Sequence, residues 1–363
     1  MRNNRLQQLC LFVLITCLIT LEGCSLYITD DAKLNTPPSQ KYEVSSEQND
    51  ISGSQDSSMS AIPTNETYVY DNFEYEIING AVKLVKCWSV EPNIDIPAVI
   101  DGKPVQIIGQ GAFYQRSSLL TLTIPSSVTT IEASAFYRCY SLGNIFIPSS
   151  VTQIGATPFY RCISLISITV DSANMFYSDI DGVLYNKEQT TLLVYPEAKA
   201  NKFYIIPITV ETIDQSAFGY CCHFLESIFI SKNVKCLPPN PFTSSISLTE
   251  IIVDPENTFY SSNDGILFDK SQSVLLAYPI LKEALSYMVP ISIERIDATA
   301  FGFTHFSYDS PYYYLKELTI LSNVIIFPDS NVFSALLDTV FFVESNSVAE
   351  QYAIKYGLNY QLL

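Results

Sequence analysis

Residues able to do chemistry are sparse in this chain of 363 residues, and most of them are cysteines. Nine cysteines stand beside only two histidines, His223 and His305. Cys221, Cys222 and His223, taken with Cys236, have the side-chain types that bind zinc. Thirteen residues separate Cys222 from Cys236 and no second Cys-x-x-Cys follows, so the spacing does not match a structural zinc site. Asp179, Asp181 and Gly182 begin like a calcium loop, but the distal Glu that closes such a loop is missing. No Gly-x-Ser-x-Gly elbow exists to present a nucleophile to either histidine. Carboxylate pairs suited to glycoside hydrolysis could come from many positions, and nothing singles one out. The chain reads as a non-enzyme, with no catalytic residue, no metal and no cofactor expected.

Cys24 is the one cysteine with a chemical context. Arg2 and Arg5 precede an almost wholly apolar run from Leu9 to Leu21. That run is too short to span a bilayer and has the length of a secretory h-region. It closes in Leu21-Glu22-Gly23-Cys24, and a small residue before Cys at that place resembles the bacterial lipobox. The resemblance implies lipidation of the Cys24 thiol and cleavage before it. Glu22 departs from the pattern, which prefers a small or hydroxyl residue there. The other reading is an ordinary signal peptide with a coincidental cysteine. On either reading residues 1–23 are a signal peptide. Residues 24–66 are rich in Ser, Gln, Asn, Asp and Pro and show no apolar periodicity. Such a stretch buries too little surface to offset chain entropy, so it reads as a flexible tether.

Composition narrows the partner. Lys and Arg number 20 against 37 Asp and Glu, a formal charge of −17. Nucleic acid needs a basic footprint, so it is excluded as a partner. Contact with anionic lipid beyond the anchor itself is excluded on the same ground. With 48 % apolar residues the remainder can bury a large core.

What positions these residues is a set of internal repeats. IPSSVTTIEASAF at 124–136 recurs 23 residues later as IPSSVTQIGATPF at 147–159. MFYSDIDGVLYNKEQTTLLVYP at 175–196 recurs 83 residues later as TFYSSNDGILFDKSQSVLLAYP at 258–279. Short and long units therefore alternate. Phe113, Phe136, Phe159, Phe218, Phe242 and Phe301 mark one recurring position. Leu119, Leu122, Ile124, Val128 and Ile131 fill the other apolar positions of a short unit, and Leu142, Ile145, Ile147, Val151 and Ile154 repeat them. The L-x-x-L-x-L core is a short strand with alternate side chains inward. Pro125 and Pro148 end their strands by removing a ladder donor. One unit cannot bury its apolar face alone, so units must stack into a solenoid.

These features resemble the BspA-type leucine-rich-repeat family. The carrying residues are Ala-Phe at 112–113, 135–136 and 217–218, and Ile-Pro-Ser-Ser-Val at 124–128 and 147–151. Asp-Gly-Val-Leu-Tyr at 181–185 is similar to that family's long-repeat insert, residues 96–105 to its opening repeat and residues 347–357 to its closing helix. The resemblance covers about residues 68–363, and the solenoid with its caps is expected over residues 67–363. It implies a β-rich leucine-rich-repeat solenoid with a parallel sheet on one side, and a role at the bacterial cell surface in adhesion or protein binding. Phe73 to Ile77, the Asn79-Gly80 turn and Val82 to Val85 read as a hairpin that caps the first coil. A short helix at 347–357 caps the other end. A monomer is expected.

Cys139, Cys162 and Cys221 each fall three residues after a repeat Phe, which stacks them in a column. They form either a buried ladder of free thiols or a Cys139–Cys162 disulfide. Two surface features point to ligands. The first is the column of outward strand positions: Thr123, Phe146, Thr169, Phe229, Ile252, Thr319 and Phe341, rimmed by Asn144, Glu250 and Glu317. It is either a protein-binding surface or ordinary strand propensity on a half-exposed sheet. The second is an insertion between Phe301 and Leu315 that holds Phe303, His305, Phe306, Tyr308, Tyr312, Tyr313 and Tyr314. Those rings either pack on the solenoid flank or form a contact patch for protein or sugar. The partner is thus an extracellular protein or, in a carbohydrate-capture lipoprotein, a glycan.

Overall fold

A computed structural model describes residues 66–363, apart from 216, 219–221, 240, 243–244, 280, 303–313, 329, 335 and 337. All lie in the second of the two units into which the chain divides, Pro63–Leu363. They form a β-solenoid. Each short unit gives one strand to a main parallel sheet and one two-residue strand to a second sheet. In the main sheet Asn144–Ile147 pairs with Ser167–Val170, Ser227–Ile230 with Glu250–Val253, and Glu317–Ile320 with Val340–Val343. Ile108, Ile131 and Ile154 stack in the second sheet. The carbonyls of Pro125 and Pro148 accept the N–H groups of Val128 and Val151, which closes the turn each proline begins.

The repeat Phe positions form a ladder through the core. Rings of Phe113, Phe136 and Phe159 stack at centroid distances of 5.3 and 5.4 Å. In the long units the rung is a tyrosine, Tyr195 beneath Phe218 and Tyr278 beneath Phe301. The last rung is Phe333, 5.2 Å from Phe301. Beside the ladder run the thiols. Cys139 and Cys162 are buried free thiols, and their Sγ atoms donate to the carbonyls of Phe113 and Phe136, each at 3.2 Å. The column is therefore a thiol ladder without a Cys139–Cys162 disulfide. Cys221 lies outside the described residues. The buried cysteine of that coil is Cys222, because the coil has one extra residue after Phe218. Leu225 N–H bonds to the Cys222 carbonyl as Leu165 N–H bonds to that of Cys162.

The long units do more than lengthen the coil. Tyr177–Ile180 and Val183–Asn186 form a hairpin, and Tyr260–Asn263 with Ile266–Asp269 repeat it. The return strands are buried on both faces: Val183, Leu184 and Tyr185 in one, Ile266, Leu267 and Phe268 in the other. Leu184 packs into the first core compartment, while Val183 and Tyr185 pack into the second. Leu267 packs into the second, while Ile266 and Phe268 pack into the third. Each return strand is thus a partition across the solenoid. A strand buried on both faces carries an unbroken apolar run rather than an alternating one, as Val-Leu-Tyr and Ile-Leu-Phe do.

A buried asparagine starts each hairpin. Asn174 Nδ2 donates to the carbonyls of Pro148 and Val151, and its Oδ1 accepts from Phe176 and Tyr177 N–H. Asn257, 83 positions on, repeats all four bonds with Ser231, Val234, Phe259 and Tyr260. The partition tips are Asp181-Gly182 and Asp264-Gly265, where all four residues have positive φ. A β-carbon on Gly182 would collide with Ser167, and one on Gly265 would sit 2.8 Å from Glu250 Cβ. The tips therefore press onto the main sheet. Ile168 N–H bonds to the Gly182 carbonyl and Ile251 N–H to that of Gly265.

At the N-terminal end the hairpin forms as expected, from Phe73–Ile78 and Ala81–Cys87. A further strand, Thr67–Tyr70, pairs on its outer edge. The cap joins the second sheet through Lys103–Ile108. At the other end helix Val348–Tyr356 is started by Ser347, whose hydroxyl accepts from Glu350 N–H, and is ended by Gly357 with φ 63°. Tyr352 covers the last coil, its ring 4.5 Å from Phe327 and 5.8 Å from Phe333. Among the described residues no helix is long and apolar enough to cross a membrane.

Candidate functional site

The main sheet presents two outward columns, each built by the period-two alternation of its strands. One is mostly polar, with Asn93, Thr121, Asn144, Ser167, Glu250 and Glu317 among its members, although Phe203 and Val340 also fall in it. The other carries Thr123, Phe146 and Thr169 on the first sheet segment. On the second segment it carries Ile205, Phe229 and Ile252. On the third it carries Met288, Thr319 and Phe342. The partition tips separate the three segments. Phe146 is 50 % exposed, Ile205 52 % and Met288 61 %, while Phe229 and Ile252 are half-buried. The second column is an apolar ridge beside a mostly polar one.

Phe341, expected on this face, is corrected: it is 2 % exposed and faces the core. Its neighbour Phe342 pairs with Thr319 and takes the outward place. A one-residue shift in a strand exchanges its two faces, and Val-Phe-Phe-Val reads equally well in either phase. Phe341 goes inward because its ring meets Phe333 at 5.0 Å. The sequence pattern also missed Ile205 and Met288. They sit in the strands Phe203–Ile205 and Ser286–Met288, which follow the partitions and lack the L-x-x-L-x-L frame. Their 83-residue relationship (205 to 288) was the available signal.

Phe303, Phe306, Tyr308, Tyr312 and Tyr313 of the insertion lie outside the described residues, as do His305 and Cys24. Tyr314 is 47 % exposed. On another flank Tyr114, Tyr137 and Tyr160, each next to a ladder Phe, stack at 5.3 and 5.5 Å. Arg138 lies over the Tyr137 ring, 5.2 Å from its centroid.

Among the described residues no three His, Cys, Asp or Glu converge to hold an ion. Cys222 is turned into the core, while Cys236 is exposed on the second-sheet side, bridged to Thr212. The neighbouring Cys139 thiol, together with burial, holds the Cys162 thiol well above its ordinary pKa. Burial also pushes Tyr185 up to about 12. Both groups lie in the core. The lysines under the partition tips serve structure too. Lys199 pairs with Asp181 at 2.9 Å and Lys282 with Asp264 at 3.1 Å.

The sequence matches the model of the BspA type leucine rich repeat region in six copies, over residues 91–189 and 195–273. The chain belongs to the BspA-type leucine-rich repeat family. Solved structures similar to this BspA-type chain include a leucine rich cell surface protein from Faecalibacterium prausnitzii, 20 % identical, covering 81 % of this chain and 98 % of that one with a TM-score of 0.38. A leucine-rich repeat protein from Eubacterium ventriosum is 16 % identical, covering 78 % and 73 %, with a TM-score of 0.41. The pneumococcal vaccine antigen PcpA is 17 % identical, covering 82 % and 98 %, with a TM-score of 0.38. No curated protein matches the chain.

Proposed function

We propose that this BspA-type protein is a lipid-anchored binding protein of a bacterial cell surface that holds a partner protein, as in adhesion, on the outward face of its main sheet. The observation that carries this reading is the apolar ridge. Six outward positions, Phe146, Ile205, Phe229, Ile252, Met288 and Phe342, carry large apolar side chains where a solvated sheet normally carries polar ones. Apolar surface of this kind, rimmed by polar residues, marks sites of protein contact.

The test is substitution of ridge residues that contribute little to the core. Phe146→Ser with Met288→Ser is expected to leave thermal stability within about 1 kcal/mol of the parent, because both side chains are at least half exposed. The same pair should abolish capture of whichever ligand a screen of extracellular-matrix proteins identifies. A glycan array run in parallel covers the sugar-capture alternative. Retention of full affinity by the ridge variant would overturn this placement of the site.

Anchoring has its own test. Acylation at Cys24 predicts partition of the mature protein into detergent, and release or stalling of Cys24→Ala. One acyl chain holds a protein only marginally, so stable anchoring requires two or more. A mature form that begins at another residue, unmodified and in the aqueous phase, excludes the anchor.

A further inference from the structure

The 83-residue duplication supplies an internal comparison for each feature of the sheet face. At the first partition tip the surrounding residues are Ile166, Ser167, Asp181, Gly182, Lys199 and Ala200. At the second they are Thr249, Glu250, Asp264, Gly265, Lys282 and Glu283, and there they line an open cavity of about 500 Å³. Two positions have thus become carboxylates, Ser167 to Glu250 and Ala200 to Glu283. Among the described residues Lys282 reaches only Asp264, by an ion pair of 3.1 Å and a bond to its backbone carbonyl. Glu250 accepts from Ser227 Oγ at 2.9 Å, a neutral donor. Neither Glu250 nor Glu283 takes part in an ion pair among the described residues. Three carboxylates against one ammonium leave a local formal charge of −2.

The cavity adjoins the ridge. Glu250 and Ile252 are two residues apart on one strand, so their side chains leave the same face roughly 7 Å from each other. Met288 begins the next sheet segment and is 61 % exposed. Further along the polar column lies Glu317, another exposed carboxylate without an ion pair among the described residues. A divalent cation is a poor fit, because no three ligating side chains converge here. A long side chain that carries one positive charge on an apolar stem suits the site better, since its stem can lie on the ridge while its head enters the cavity.

We propose that the cavity beside the second partition tip receives a lysine or arginine of a cationic, amphipathic protein segment that lies along the apolar ridge. This rests on the reading of the main sheet as a protein-binding face and gives that partner its charge. The first tip, lacking both extra carboxylates, is not an equivalent anchor.

The variant Glu250→Ser with Glu283→Ala puts at both positions the side chains that the first tip carries there, Ser167 and Ala200, which the fold already accommodates. Fluorescence anisotropy with a labelled alternating Leu-Lys peptide compares the intact protein, this cavity variant and a ridge variant, Ile205→Ser with Met288→Ser. The cavity variant should bind about tenfold more weakly, as two lost charge contacts at partly exposed sites predict. Its affinity should also depend less on salt than the parent's. The ridge variant should lose binding as well, and a Leu-Glu peptide should bind none of the three. Parent-like affinity in the cavity variant, with loss in the ridge variant, overturns the cavity and leaves the ridge reading standing. Parent-like affinity in both variants overturns both. Equal binding of the Leu-Glu peptide refutes the charge assignment. Calorimetric binding of calcium that vanishes in the cavity variant, with peptide affinity unchanged, makes the occupant a metal and overturns the proposal.

Discussion

Replacing Asn174 by Ala should be among the most damaging single changes on the solenoid that touch neither its surface nor its apolar core. The side chain is fully buried and its amide satisfies two carbonyls, of Pro148 and Val151, and two N–H groups, of Phe176 and Tyr177, at 2.8 to 3.0 Å. A net value of about 1 kcal/mol per bond gives ~4 kcal/mol for the four together. That is a large part of the 5–15 kcal/mol by which a typical domain is stable. Asn174→Asp should be no milder, since a carboxylate oxygen would then face two carbonyl oxygens. Asn257→Ala serves as the internal replicate, with the same four bonds in the second long unit. Urea unfolding followed by far-UV circular dichroism reads the shift in midpoint. A repeat stack can lose two-state behaviour, so the unfolding slope must be compared before midpoints become energies. A loss below ~1 kcal/mol at both positions would show that the backbone groups find other partners and that the asparagines do not hold the hairpins in place.

Four further outcomes follow from the same packing. In the native protein iodoacetamide should modify Cys236, which is exposed, and spare Cys87, Cys139, Cys162 and Cys222 until the chain is unfolded, as peptide mass mapping will show. Raising the pH to 9 should leave Cys162 protected, because its pKa lies well above the ordinary thiol value and its thiolate stays scarce there. Phe136→Ala removes a ring stacked on both neighbours and should cost about 3–5 kcal/mol by thermal unfolding, against less than 1 kcal/mol for Phe146→Ser on the open face. Gly265→Ala should destabilise by at least ~1 kcal/mol, since it sets a methyl group on Glu250 at a residue of φ 73°.

The features legible in the sequence were those that recur with fixed spacing and a fixed face. Phe113, Phe136 and Phe159 were legible as one recurring position, and their rings stack because a 23-residue step returns that position to the same side of the coil. The Asn79-Gly80 turn marked the N-terminal cap, and the resemblance of residues 347–357 to the family's closing helix marked the other. The partitions were hidden because their return strands bury both faces and so show no alternation. Val-Leu-Tyr was visible as an insert, but nothing in it says that Leu184 and Tyr185 serve different compartments. Asn174 and Asn257 recur plainly, yet a polar residue at 83-residue spacing gives no sign of being buried until the carbonyls it meets are placed. On the ridge the pattern gave Phe146, Phe229 and Ile252 correctly. It failed at Phe341, where two adjacent Phe leave the phase to be decided by the Phe333 ring.

The partitions also decide how the molecule answers a pull. Core contacts run from Phe73 to Val194, then from Val183 to Leu267, then from Ile266 to Tyr352, and among the described residues these compartments meet at the two return strands and at the strands Thr191–Val194 and Val274–Ala277 that follow them. A solenoid with one continuous core would fray coil by coil from an end. Here a fray that reaches a partition must tear out a strand packed on both sides before it can go on. Compartments of roughly 80 to 120 residues would each pay out ~300–400 Å of chain at ~3.5 Å per residue. Under shear between a cell and whatever it holds, this architecture predicts extension in three discrete steps. Each step would dissipate load while the remaining compartments keep their sheet faces intact.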